Sequence, residues 1–362
     1  MEVKISKDKL MTGITTCMRT VPSKSTMPIL ECILMTVQDG EIILTSNDTE
    51  MGSEIFLEAD TVSDGVVAVE AKTLSAIITK MPDGEITLKT DDENEMFIKC
   101  GRSKFNIAIR DGNEFPKLNM VSRENSIKVA QEILKDAIKE TIFSASVNDT
   151  NKMMTGLLLS FSDILKVVAL DGHRIAIREY TIGYDGEPVK LIVPSKALQE
   201  LYKTLTDGDM EIFYTDSQVA FSFDGKLIES RLIDGEFFDI DRLMHYDFNT
   251  EIKVDRQELL ACVDRATLLV KEIDRKPVVF TIGENLKAEI TTQLGSMSEE
   301  LEIEASGNQL VIGLNPRFII DIMRVLDDAK VSMYFVDSKT PCYIKGEGYI
   351  YVVLPIQLRE GV

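Results

Sequence analysis

Two periods alternate along this chain. Apolar residues take every second position in short runs such as 41–45, 85–89, 96–100, 210–214 and 331–335, the pattern of half-buried strands. Asp-Gly, Asn and Asp turns separate these runs, so antiparallel meanders are expected. Elsewhere apolar residues fall at i, i+3, i+4, as in Ile133, Leu134, Ala137 and Ile138, and predict helices over 8–19, 131–143 and 256–269. A second set of helices is predicted over 72–81, 195–205 and 316–326. The last opens with Pro316 behind an Asn315 cap.

The predicted elements recur three times. Val3-Lys4-Ile5, Ile127-Lys128-Val129 and Ile252-Lys253-Val254 each lead five residues on to a helix leucine, Leu10, Leu134 or Leu259. A later landmark keeps step, with Lys72, Lys196 and Arg317 opening the second helices. Two landmarks in register three times predict an α+β fold of three tandem domains, each with two helices laid on antiparallel sheet. The boundaries fall at 1–122, 123–248 and 249–362, with linkers near 120–124 and 246–250. Units of this size bury their own cores, unlike solenoid repeats.

Composition changes the picture mainly through charge. The 362 residues are 44% hydrophobic and 28% charged, with a formal net charge of −20. Duplex DNA binding rests on Lys and Arg neutralising phosphates, so a DNA-binding role requires basic and acidic residues on separate surfaces. No run of about 18 apolar residues occurs, which predicts no membrane span. A charged strand directly after Met1 leads us to expect no signal segment. Cys17, Cys32, Cys100, Cys262 and Cys342 are scattered and odd in number, which fits buried thiols in a cytoplasmic protein. In that compartment the sequons at Asn47 and Asn148 are fortuitous.

Catalytic signatures are missing from the sequence. It has no phosphate-binding G-x-x-x-x-G-K-[ST] loop and no G-x-S-x-G elbow. His173 and His245 lack ligand-spaced partners, so neither a metal nor another cofactor is expected. Acidic pairs such as Asp91-Asp92 and Glu299-Glu300 fall in turns or strand edges and read as solvated faces. A triplicated chain of this kind reads as a non-catalytic scaffold.

Three local motifs then point to a family: Thr26-Met27-Pro28-Ile29-Leu30, Leu170-Asp171-Gly172-His173-Arg174-Ile175-Ala176, and Tyr351-Val352-Val353-Leu354-Pro355-Ile356-Gln357-Leu358. With the triplication, the chain resembles the bacterial sliding clamps, the beta subunits of the replicative DNA polymerase III. The resemblance implies a head-to-tail homodimer that closes into a ring around duplex DNA. It holds the polymerase on its template without reading sequence, since phosphate contacts carry none. It implies DNA contacts at Lys24, Lys72, Asn148, Lys152 and Met153, joined by Lys196 and Arg317, with further cations on the helices at Lys9, Lys80, Lys135, Lys139, Lys203, Arg265 and Arg324.

The resemblance also implies a cleft for linear peptides of the replicative polymerase, the clamp loader and repair proteins. Its residues would be Met154, Leu170, Gly172, His173, Arg174, Ile175, Phe238, Arg242, Leu243, Val352, Val353, Leu354, Pro355, Ile356 and Leu358. The peptide's Gln would be held by backbone around Pro355-Ile356. Phe238 replaces a proline common in the family, Gln357 stands where an Arg is frequent, and Arg359 to Val362 extend past the usual end. The ring seam would join Leu74, Ile77, Phe105 and Ile107 to Leu268 and Leu269, with Arg102 and Lys104 facing the acidic run 299–304. The competing readings are a monomeric DNA-associated scaffold, separated by sedimentation mass, and an acidic DNA mimic, separated by the absence of a basic stripe.

Overall fold

The structure is a computed structural model describing all residues except 92–93, 117–120, 148–149, 241–243, 245–246, 271–275 and 359–362. The first repeat runs β1 (Glu2–Ser6), α1 (Lys7–Cys17), β2 (Cys32–Gln38), β3 (Glu41–Asn47), β4 (Met51–Glu58), β5 (Asp60–Ser63), β6 (Gly65–Glu70), α2 (Ala71–Lys80), β7 (Glu85–Thr90), β8 (Glu95–Cys100) and β9 (Ser103–Asp111). The second runs β10 (Ser126–Ala130), α3 (Gln131–Lys139), β11 (Gly156–Phe161), β12 (Ile164–Leu170), β13 (Arg174–Thr181), β14 (Val189–Pro194), α4 (Ser195–Tyr202), β15 (Asp209–Tyr214), β16 (Gln218–Phe223) and β17 (Lys226–Arg231). The third runs β18 (Thr250–Asp255), α5 (Arg256–Thr267), β19 (Val278–Ile282), β20 (Asn285–Thr292), β21 (Gly295–Gly307), β22 (Leu310–Leu314), α6 (Pro316–Val325), β23 (Lys330–Phe335), β24 (Cys342–Gly346) and β25 (Tyr349–Val353).

Side-chain caps start α5 and α6 where the sequence places them and α1 one residue earlier. Ser6 accepts from the Lys9 amide, Asp255 from those of Gln257 and Glu258, and Asn315 from that of Arg317, each satisfying N–H groups that the helix itself cannot. The first helices end earlier than predicted. α1 stops at Cys17 and α3 at Lys139, and a separate 3₁₀ turn takes Ile142–Ser144. All five cysteines are buried free thiols, and burial pushes Cys17 up to about 12. Among the described residues no helix is long and apolar enough to cross a membrane.

The strands sort into two compact units, and the second repeat contributes to both. One unit comprises Met1–Glu132 with Lys196–Leu232, the other Ile133–Ser195 with Ile233–Val362. The first holds a thirteen-stranded sheet in the order β10-β15-β16-β17-β4-β3-β2-β6-β9-β8-β7-β1-β5. Its main core gathers Leu10, Ile14, Ile33, Leu44, Leu74, Ile78 and their neighbours beneath α1 and α2. The stretch expected as a linker is packed here: Val121 is buried with Phe213, Ala220 and Leu227, and Arg123 lies over the Phe213 ring at 5.5 Å. The second unit holds a twelve-stranded sheet in the order β14-β11-β12-β13-β25-β24-β23-β18-β21-β20-β19-β22, with α5 and α6 over a core of Leu259, Val263, Ile319, Met323 and Tyr351.

Within each unit one repeat is joined to the next by the same antiparallel ladder. β17 pairs with β4 through Lys226↔Ile55 and Ser230↔Met51, bracketed by Phe56 N–H donating to Gly225 O (2.8 Å) and Arg231 N–H to Glu50 O (3.0 Å). β25 pairs with β13 through Tyr349↔Arg178 and Val353↔Arg174, bracketed by Glu179 N–H to Gly348 O (2.8 Å) and Leu354 N–H to His173 O (2.9 Å). The two ladders superpose residue for residue. The last strand of a repeat covers the edge of the third long strand of the repeat before it.

The β17–β4 ladder encloses Glu229, which burial and then the neighbouring Glu54 push up to about 7 against an N–H bond from Val121. Glu54 is itself raised by burial, opposed by Arg123. A carboxyl that keeps its proton longer in the folded state stabilises fully below its unfolded value of 4.5, and that stability is lost as pH rises through about 7. Glu229→Gln should therefore raise the melting temperature at pH 8, by the equivalent of about 1–2 kcal/mol, with the gain fading towards pH 4.5. A thermal scan showing the same gain at both ends would contradict this account.

Candidate partner-binding site

A tight turn builds one wall of the site in the second unit. Between β12 and β13, Asp171 Oδ1 accepts from the backbone N–H groups of His173 and Arg174, both at 3.0 Å. Gly172 takes φ +80, a left-handed value that costs glycine no strain. The turn presents the His173 ring outward, while the His173 carbonyl is held by Leu354 N–H. Beyond Leu354 the chain crosses β22, where Ile356 N–H donates to Gly313 O at 2.8 Å. A Cβ at Gly313 would lie 2.8 Å from the Leu358 Cδ2 methyl and 2.9 Å from Ile356 O, so the close crossing requires glycine here.

These elements and the start of α6 enclose a cavity of about 540 Å³. Val270, Phe318, Leu354, Pro355 and Ile356 give it apolar surface, and His173, Thr267, Lys276, Asn315 and Arg317 give it polar groups. An apolar cavity with a few polar groups is the usual form of a ligand or peptide pocket. Beside it, Leu158, Val168, Leu170, Ile177, Ile192 and Ile240 form a separate cluster topped by half-buried Met153, Met154, Ile175, Phe237 and Met244. Phe238 is exposed there, edge-on to Phe237 at 5.6 Å.

The structure thus brings His173, Leu354, Pro355 and Ile356 to one cavity wall, and Met154, Leu170 and Ile175 to the adjoining cluster, with Gly172 in the turn next to Met154. Val352 and Val353 are buried in strand β25 and support the wall from behind. Leu358 is exposed next to Gly313. Arg242, Leu243, His245 and the tail 359–362 lie outside the described residues. The expected backbone hold on a peptide Gln meets a difficulty, since Leu354 and Ile356 have both used their N–H groups and Pro355 has none. Only carbonyls are left to accept from the Gln amide.

Arg174 has a different part from the one expected. Its Nε donates to Asp171 Oδ2 at 3.0 Å and its Nη1 to Asp321 Oδ2 at 2.6 Å. Its Nη2 reaches the Phe143 carbonyl, and its guanidinium plane lies over Phe318 at 4.4 Å. The group makes a hydrogen bond from each of its three nitrogens and is mostly enclosed, so it fixes the turn to α6 and props the Phe318 ring. Arginine's planar fork suits this multiple anchoring. Sequence reasoning missed Thr267, Val270, Lys276, Asn315 and Phe318. One signal was available: Phe318 is a large aromatic where the other repeats carry Thr73 and Ala197.

The expected DNA contacts are divided between the units. In the first, Lys72 Nζ donates to Ser23 O at 3.2 Å, beside exposed Lys24, and Lys196 Nζ binds Asp48 Oδ2 at 2.7 Å. In the second, Lys152 is exposed, Met153 is half-buried, and Arg317 stands at the rim of the cavity just described. Asn148 lies outside the described residues. Several helix cations are matched by acids: Lys9 by Glu58, Lys203 by Glu200 and Arg324 by Asp264.

Of the expected seam residues, Leu74 is 0% exposed and belongs wholly to the core under α2. It cannot present a surface. Ile77 and Ile107 are half-buried against that core, while Phe105 is 44% exposed. In the second unit Leu268 is 79% exposed and Leu269 half-buried. The acids expected to meet Arg102 and Lys104 are partly engaged within their own unit, Glu299 by Arg265 and Glu304 by Lys330.

Family models for the DNA polymerase III beta subunit match the chain in three consecutive pieces: the N-terminal domain at residues 1–119, the central domain at 128–239 and the C-terminal domain at 241–356. The beta sliding clamp of Staphylococcus aureus is 28% identical over 375 aligned positions, covering 99% of both proteins. The crystal structure of a putative DNA polymerase III beta subunit from Eubacterium rectale is similar at TM-score 0.95 and 40% identity, over 98% of this chain and 99% of that one. The sliding clamp of Bacillus subtilis gives TM-score 0.95 at 26% identity, over 99% of this chain and 100% of that one.

The Gly313 crossing can be tested directly. Gly313→Val should push residues 355–358 off β22 at a cost of about 1–3 kcal/mol. Hydrogen exchange of the Ile356 amide should accelerate at least about tenfold, while amides in β7 and β8 of the other unit keep their protection. Unchanged Ile356 protection would mean that the segment is not held by this contact.

Proposed function

Because the chain belongs to the bacterial DNA polymerase III beta subunits, the sliding clamps that confer processivity on that polymerase without catalysing a reaction, we propose that it acts as two copies closed head to tail around duplex DNA. Ring closure through a dimer is what the family implies. We propose three clamp domains at 1–122, 123–248 and 249–362. The observation that carries the closed ring is an incomplete third junction. Ile228, Tyr351 and Phe105 hold one position in the three repeats, by their registers with Phe221, Ile344 and Ile98. Ile228 is 3% and Tyr351 0% exposed because each covers the preceding repeat, whereas Phe105 is 44% exposed. β9 has no preceding repeat in its own chain, and β21 has no following one.

A second copy supplies both. Transposing the two internal ladders sets Phe105 opposite the partner subunit's Met297, and Ile107 opposite Gly295 of the partner subunit. The bracketing bonds become Ala108 N–H to the carbonyl of the partner subunit's Leu294, and an N–H of Glu300 of the partner subunit to Arg102 O. Ile109 N–H turns to Asn94 O within its own sheet, and alternate residues of a strand point to opposite sides. The Ala108 N–H therefore faces the open edge. Leu268, Leu269, Ile77 and Ile107 would flank this ladder, and Lys104 would face the side of the strand that carries Glu300 of the partner subunit.

On this reading Lys24, Lys72, Lys152 and Lys196 meet phosphates inside the ring, with Met153 beside them. The cavity and the adjoining Met154–Leu170–Ile175 cluster receive linear peptides from the polymerase, the clamp loader and repair proteins. We extend that surface to Phe238, Arg242, Leu243 and Leu358 in the cytoplasm of a bacterial cell. Burying two or three apolar anchors supplies about 4–7 kcal/mol before ordering costs, so a lone peptide binds at about micromolar Kd.

Sedimentation tests the ring. The parent should run at twice the chain mass at micromolar concentration. Phe105→Asp should bury a charge at the seam, and Ala108→Pro should remove a seam donor without touching the core. Each should weaken the dimer at least about tenfold. A dimer indifferent to both would place the seam elsewhere. Loading onto a nicked circle gives a separate check. Retention should survive salt that strips linear duplex, and Lys24→Glu with Lys72→Glu should reduce it.

A further inference from the structure

The sheet face turned away from the helices is apolar in the first repeat where the other two carry charge. Ile42, Leu44, Ile55 and Leu57 point into the core beneath α1 and α2. Ile43 and Phe56 therefore point the other way, since neighbours along a strand alternate between faces. The cross-strand registers set Val66, Thr36, Ile43 and Phe56 side by side in one row over β6, β2, β3 and β4. The same row is Lys190, Ser160, Lys166 and Glu179 in the second repeat, and Val311, Thr281, Lys287 and Glu300 in the third. Lys166 Nζ lies 3.6 Å from Glu179 Oε1. The first repeat thus has Ile43 and Phe56 where both others have a Lys facing a Glu.

Phe56 and Val66 are exposed and Ile43 is half-buried. On one side of the stripe, Ala68 and Leu34 are closed over by Leu30, Cys32 and Phe115, so the stripe is the uncovered margin of a small core. On the other side, two residues along each strand, stand Asp64, Gln38, Glu41 and Glu58. Glu58 meets Lys9 at 3.5 Å. Asp64 and Glu41 are exposed and have no cation partner among the described residues. These positions are Pro188, Ser162, Ile164 and Thr181 in the second repeat, without an acid, and the third has one, Glu302. Apolar stripe and acidic margin therefore occur together, and in the first repeat alone.

We propose that this stripe docks an amphipathic helix of a partner protein, with apolar side chains on Val66, Ile43 and Phe56 and a Lys- or Arg-bearing edge against Asp64 and Glu41. The free acids set the partner's class. They repel nucleic acid and anionic lipid and favour cations beside apolar anchors. The dimensions fit a helix lying across the strands. Four strands span about 14 Å, the length of about nine helical residues, which holds anchors at i, i+4 and i+7. The acids lie about 7 Å from the stripe, within reach of a lysine on the flank of such a helix.

Fluorescence titration of the full-length protein tests this with the labelled helix acetyl-Lys-Leu-Lys-Lys-Leu-Leu-Lys-Lys-Leu-Lys-Lys-Leu-amide and a counterpart carrying Glu for every Lys. The basic probe should bind and the acidic one should not. Ile43→Lys with Phe56→Glu installs the couple that the other repeats already tolerate and leaves net charge unchanged, so general attraction to an acidic protein is the same in both. It should weaken the basic probe at least about tenfold. Glu41→Gln with Asp64→Asn, which touches no core residue, should weaken it at least about threefold, with the difference fading as salt rises. No binding by the parent, equal binding of both probes, or affinity unchanged in either variant would overturn the proposal. So would two other occupants: flotation with phosphatidylcholine vesicles that the Ile43→Lys, Phe56→Glu variant loses would give the stripe to lipid, and a sedimenting mass above the dimer that the same variant loses would give it to a further copy of this chain.

Discussion

An open strand edge must be covered, and in this molecule nearly everything follows from how that is done. Unpaired N–H and C=O groups along an edge are costly to bury and hazardous to expose. The second and third repeats each end on a strand whose outer edge fits the third long strand of the repeat before it, as β17 fits β4 and β25 fits β13. The two sheets grow past ten strands because the ladders run on from repeat to repeat. The cavity sits where one ladder ends, since Leu354 N–H is the last rung and the chain must then turn across β22.

Much of the repeat was legible in the chain because it is local. Alternating runs, the Asn315 cap and the three Val/Ile-Lys-Val/Ile starts need only nearest neighbours to be read. What lay beyond sequence was which face of an apolar residue meets which neighbour. Leu74 and Phe105 look alike as seam candidates, yet one is enclosed by its own core and the other is not. Likewise the resemblance puts Arg174, in its Asp-Gly-His-Arg turn, among the peptide-cleft residues. Only the fold reveals that Asp321, far along the chain, has already claimed it. The cavity residues Thr267, Lys276 and Asn315 come from separate elements, and no spacing in the sequence links them.

The charge balance is managed pair by pair. Cations on the helices mostly sit beside carboxylates, as Lys196 does beside Asp48 and Lys203 beside Glu200, which screens them over short distances. Surface pairs of this kind add little stability, so their main effect is on the local field. Departures from pairing are therefore informative. Glu54 and Glu229 crowd two acids into the β17–β4 ladder, and Arg174 holds two acids alone.

The division of the second repeat between the two units also sets an order of events at the ribosome. The segments interleave along the chain: residues 1–132 wait for 196–232, and 133–195 wait for 233–362. The first sheet cannot finish until about two-thirds of the chain has emerged, and β11 to β14 leave the tunnel well before the strand that covers β13 exists. For that interval the nascent chain carries a bare edge of four apolar strands. Synthesis of this protein thus has a window in which holding the chain apart from its neighbours matters more than the stability of the finished fold.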